Sequence, residues 1–135
     1  MQDSAAYNAG AYLSSKPCTG RVLRAIPAQV FHYDTAQKLS FLSGLFESAS
    51  FDILSTDKLC VRFTVLSEMR TMVDQTSQLL SSIGVETSIE TKGIFCSLVF
   101  GNGYGFPLRM MRIGGGIRDF RNVVQYAIAH QGGAK

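Results

Sequence analysis

The chain has 135 residues, of which 46% are hydrophobic, 10% aromatic and 17% charged. That balance excludes a disordered tail and leaves room for one packed domain but not two. Thirteen Lys and Arg against ten Asp and Glu give a net charge of +3, too small by itself to mark a nucleic-acid binder.

Residues 1–20, MQDSAAYNAGAYLSSKPCTG, are small and polar with no continuous apolar run; they read as a flexible leader rather than a signal peptide. The packed domain is expected over 21–131, with a flexible tail over 132–135. Asp34-Thr35-Ala36-Gln37 has the pattern of a capping box and predicts a helix start. In the helix that follows, Leu39, Leu42, Leu45 and Phe46 form an apolar stripe, while Ser40, Ser43, Gly44 and Ser48 form a second stripe of small residues. A glycine inside a helix costs about 1 kcal/mol against alanine, so Gly44 implies a second helix crossing closely there.

After the segment FDILSTD, residues Leu59, Val61, Phe63 and Val65 alternate with Lys58, Cys60, Arg62 and Thr64, the period of a half-buried strand. Ser67 is expected to cap a helix that carries Met69, Met72, Val73, Leu79, Leu80 and Ile83 at helical spacing and ends at Gly84. VETSIETK and IFCSLVF turn at Gly93 as a hairpin, and LRMMRI reads as a further short strand or a continuation of the sheet. Ile117, Phe120, Val123, Val124, Ala127 and Ile128 predict a last helix. The order is αββαββα, an α+β domain with one antiparallel sheet.

Cys18, Cys60 and Cys96 are odd in number and widely spaced, with no Cys or His partner at ligand spacing. This excludes a disulfide framework and a zinc site and points to buried thiols in an intracellular, reducing compartment. No stretch approaches the roughly 20 apolar residues that cross a bilayer, so no membrane association is expected. The loop GNGYG at 101–105 lacks the GK(S/T) of a phosphate-binding loop and reads as a turn. The glycines at 114–116, between Arg112 and Arg118, precede a helix and suit either a plain turn or a phosphate. His32 and His130 have no ligand-spaced partner and no GxSxG is present, so neither a resident cofactor nor a hydrolase triad is indicated.

The segment IPAQVFHYDTAQKLSFLSGLFESASFDI, residues 26–53, resembles the LAGLIDADG homing endonucleases and the related endonuclease domains of inteins. Phe41, Leu42, Gly44, Leu45, Phe46 and Glu47 match the motif helix, and Ile26, Pro27 and Phe31 match its run-up. LLSSIGVET and RIGGGIRDFRNVV are similar to later parts of the same family, so the resemblance covers about 110 residues at low identity. It implies that motif helices pair at a two-fold axis and that the sheet lies over double-stranded DNA or another nucleic acid. One motif per chain implies a homodimer or a protein partner, with Ser40, Ser43, Gly44 and Glu47 at the helix crossing. The strand residues Lys58, Arg62, Thr64, Ser88 and Lys92 would approach bases, and Arg109, Arg112, Arg118 and Arg121 would approach phosphates.

The motif departs from the family at its chemistry. Ala49 stands where the family keeps its metal-binding acid, and Ser50 replaces the last glycine. Cleavage in the family needs Mg²⁺ or a similar ion held by hard oxygen ligands, which alanine cannot supply. Glu47 points roughly 200° away around the helix and Asp52 lies in the following strand, so both are weak substitutes for catalysis. Glu86 and Glu90 share a strand face with Ser88 and Lys92 and would repel phosphates. The expected function is a degenerate homing-endonuclease-like domain that binds nucleic acid without cutting it alone. The alternatives are an active DNA endonuclease subunit using Mg²⁺, and a repurposed interaction protein docked on a nucleoprotein or polymerase assembly.

Overall fold

In the computed structural model the described residues are 4–15, 26–48, 53–56, 60–111 and 117–131. Ala49, Ser50, Asp52, Lys58, Arg112 and Cys18 lie outside them, as does the tail 132–135. Strands β1 (Ile53–Thr56), β2 (Val61–Leu66), β3 (Ser88–Lys92) and β4 (Phe95–Phe100) form one four-stranded sheet in the order β1-β2-β4-β3. Every neighbouring pair is antiparallel. Preceded by α1 (Ser4–Ser15), the helices α2 (Thr35–Ser48), α3 (Arg70–Ser82) and α4 (Phe120–His130) interleave with the strands as αββαββα. The α+β class and this order are those expected from the sequence.

Alternation decides which face of the sheet is covered. Val61, Phe63 and Val65 of β2 and Cys96, Leu98 and Phe100 of β4 are buried, and the register sets Phe63 and Ile89 on either side of Leu98. Phe46 of α2 anchors the helical layer to this face. It stacks on Phe120 of α4 with ring centroids 4.8 Å apart and meets Phe63 and Phe100 edge-on at 5.8 and 6.1 Å, geometries that suit the ring quadrupoles.

Local signals explain the element ends. The capping box forms as expected: Gln37 N–H donates to Asp34 Oδ1 at 2.8 Å and Asp34 N–H donates to Gln37 Oε1 at 3.2 Å. Gly84 ends α3 at φ +97°, a conformation that β-carbons disfavour. Two expectations need correction. Ser67 does not cap α3; it opens a 3-10 turn, Ser67–Met69, and no side chain caps the helix. Of LRMMRI, read as a strand or a continuation of the sheet, Leu108–Met111 forms no strand: Pro107 at φ −58° leads into the 3-10 turn Leu108–Met110, and Met111 makes an isolated bridge to Ile117, while the last two residues lie outside the described ones.

The largest difference lies at the start of the chain. Residues 4–15, read above within a flexible leader, form α1, which packs along α2. A Cβ placed on Gly10 would overlap the carbonyl oxygen of Phe41 and sit 2.9 Å from Leu45 N; one placed on Gly44 would overlap the carbonyl oxygen of Tyr7 and sit 2.8 Å from Ala11 N. Each glycine thus meets the residue three before and the residue one after the other glycine. The two helices cross backbone to backbone about a local two-fold axis.

Candidate nucleic-acid interface

The face of the sheet opposite the helices presents the alternate residues. Arg62 and Thr64 come from β2, Phe95 and Ser97 from β4, and Ser88, Glu90 and Lys92 from β3. Pairing aligns them in lanes: Arg62 and Ser88 flank Val99, Thr64 and Glu90 flank Ser97, and Leu66 and Lys92 flank Phe95. Arg62, Thr64, Glu90, Lys92, Phe95 and Ser97 line a groove of about 380 Å³.

Of the strand residues expected at a nucleic acid, Arg62, Thr64, Ser88 and Lys92 therefore share one surface. Arg62 Nη1 donates to Glu90 Oε1 at 2.7 Å, and Thr64 Oγ1 and Ser97 Oγ share a hydrogen bond of 2.8 Å. The ion pair is exposed on both sides, 39% and 55%, so water screens it and its net strength is small. It nevertheless places a carboxylate beside the central cation of the groove. Ser97 and Phe95 were not singled out from the sequence; the period-2 alternation of β4 against Cys96, Leu98 and Phe100 is the signal that assigns them to this face.

The arginines expected at phosphates lie elsewhere. Arg109 belongs to the 3-10 turn before Met111, Arg118 follows the bridge residue Ile117, and Arg121 sits in the first turn of α4. Arg109 and Arg118 are exposed. Arg121 Nη2 donates to the buried Ser40 Oγ at 2.9 Å, tying α4 to α2. Arg118 and Arg121 thus flank the helical layer rather than the groove.

Ser40, Ser43 and Gly44, assigned above to an interface between chains, are covered within this chain. Ser40 and Ser43 are fully buried, Ser43 Oγ donates back to the Leu39 carbonyl at 2.7 Å, and Gly44 lies against α1. Glu47 joins three helices: its Oε1 accepts from Tyr7 OH at 2.9 Å and its Oε2 accepts from the Phe120 N–H at 2.9 Å. The second bond satisfies one of the unpaired amides that open α4, where a negative charge is also favoured. A divalent ion needs several hard oxygen ligands. Both Glu47 oxygens already accept from donors, and among the described residues no three His, Cys, Asp or Glu gather. The described residues do not fit a metal centre.

The loop 101–105 is a turn, as read from the sequence. Gly101, Gly103 and Gly105 have positive φ, and Tyr126 OH donates to the carbonyls of Tyr104 and Gly105 at 3.2 Å, which pins the loop to α4. Burial pushes the Cys96 thiol above its ordinary range, with Arg70 opposing and Asp74 adding to the shift. Among the described residues no helix is long and apolar enough to cross a membrane. No family model, curated protein or solved structure matches the chain.

Proposed function

We propose that the chain is a LAGLIDADG-type domain that binds nucleic acid, double-stranded DNA first, through the open face of its sheet and does not cut it unaided. The observation that carries this reading is the one-sided sheet. Helices cover one face, while the other offers a groove with cationic, hydroxyl and carboxylate groups from three adjacent strands. Such a surface suits contacts to base edges more than to phosphates. The αββαββα order is compatible with the family resemblance, and Ala49 in the acid position, with Glu47 engaged by two donors, supports loss of cleavage.

A second reading, an interaction module, is favoured by one observation: Ile94 and Phe95, at the end of the β3–β4 hairpin, are 67% and 38% exposed. Titration with labelled duplex DNA and RNA over a range of salt concentrations separates the two. Binding is expected to weaken moderately as salt rises, because the two groove cations, Arg62 and Lys92, displace counterions from the phosphates they meet, and supercoiled plasmid with Mg²⁺ or Mn²⁺ should stay intact. Binding that ignores salt, or none at low salt, would favour the second reading. Nicking by the wild-type chain would restore the endonuclease alternative.

A further inference from the structure

On the helix side of the sheet Phe46, Phe63, Phe100 and Phe120 pack against one another. Phe95 stands instead on the open face, 38% exposed, at one end of the groove. At the other end Arg62 reaches across β4 to Glu90, and their bond of 2.7 Å holds the guanidinium over the sheet. Pairing sets Glu90 level with Ser97, two residues along β4 from Phe95, and side chains of a strand stand roughly upright on the sheet. The ring and the ion pair therefore rise from rows about 7 Å apart. That is the width one flat ring needs to touch a surface on each side at about 3.5 Å. Beneath this slot Thr64 Oγ1 and Ser97 Oγ share one hydrogen bond, which leaves each hydroxyl capacity for a further partner.

We propose that this slot takes one unpaired base carried by the bound duplex, stacked on Phe95 with the Arg62–Glu90 pair on its other side. The inference rests on the nucleic-acid reading and narrows it to duplexes in which one base has left the stack. A phosphate is a poor occupant, because the Glu90 carboxylate repels it and the lining of the groove is mostly apolar. A base is neutral and flat, and it gains from an aromatic ring on one face and a guanidinium on the other. It has to be unpaired, since a base inside a duplex has a neighbour on each face and shows only its edges to the groove. Lys92 is exposed and pairs level with Phe95, which sets its ammonium where the strand carrying that base brings a phosphate.

Titration of the full chain with three labelled duplexes of one sequence tests this: one fully paired, one carrying an extra unpaired adenine, and one carrying an abasic residue at the same place. The duplex with the extra base should bind about tenfold more tightly than the other two, as expected for one base on one aromatic ring. Phe95→Ala should erase that preference and Phe95→Trp should keep it, while both hold the wild-type affinity for the paired duplex. Both variants should melt like the wild type, since the position is exposed. Equal binding of all three duplexes would overturn the proposal and leave the nucleic-acid reading standing, whereas no binding to any of them at low salt would sink both. An abasic duplex that binds as tightly as the one with the extra base would also overturn it, assigning the gain to a bent backbone. So would a preference that survives Phe95→Ala, or a wild-type chain that doubles in mass through Phe95 and so covers the ring with a second copy.

Discussion

Arg62 meets Glu90 before it meets any ligand, and this sets what the groove can recognise. The bonded carboxylate weakens the pull of the surface on a phosphate but leaves an acceptor for a base amine. Glu90→Gln should therefore raise nucleic-acid affinity and steepen the dependence of log affinity on log salt by about one contact, measured by the same titrations as the wild type. If affinity falls instead, Glu90 itself reads the ligand. Cys96 gives a prediction of a different kind. Its thiol ordinarily ionises near 9.0 and burial raises that value in the folded chain, so the folded state holds its proton where the unfolded state releases it. Stability from this group is present below the unfolded value and is lost as pH rises through the folded one. Urea unfolding should show a decline above about pH 9 that is smaller in Cys96→Ala.

At the scale of elements, the helix crossing reverses an ordinary rule. Gly→Ala in a helix interior usually stabilises by about 1 kcal/mol, but a methyl at Gly44 would overlap the Tyr7 carbonyl. Gly44→Ala should therefore destabilise the docked α1, by about 1–3 kcal/mol as overpacking does, seen as earlier loss of helical signal by circular dichroism. The same crossing shows why part of the fold was illegible in the sequence. The close approach at Gly44 was readable because its neighbours Leu42, Leu45 and Phe46 gave α2 an apolar stripe. The helix that makes the approach was not, because α1 docks through what its residues lack: SAAYNAGAYLSS has no apolar periodicity of its own. The capping box at Asp34 and Gln37 and the alternation of Val61, Phe63 and Val65 are local signals and were legible. The strand or sheet continuation read at Leu108–Met111 failed because apolar residues in a short run carry no helix, turn or strand period. Glu47 was legible as a motif residue, but its partners Tyr7 and Phe120 are distant in sequence.

For the molecule as a whole, stability converges on Phe46, a ring that touches α4 and two strands at once. Phe46→Ala should cost about 3–5 kcal/mol, a large share of the roughly 5–15 kcal/mol typical of a folded domain, and lower the urea midpoint accordingly. The groove, by contrast, rests on side chains that point away from this core, so its substitutions should change binding with little effect on the melt. The paired glycines also fix which lengths of the chain are free to vary. Because Tyr7, Gly10 and Ala11 mesh with Phe41, Gly44 and Leu45 by their spacing within each helix, one residue inserted inside either helix turns its glycine about 100° off the axis. The described part of the connection is held as well, since Ile26 and Val30 are buried and the Ile26 N–H donates to Gln75 Oε1 at 2.7 Å. Natural or engineered variation in length should therefore spare the two short meshed segments and the packed residues 26–34.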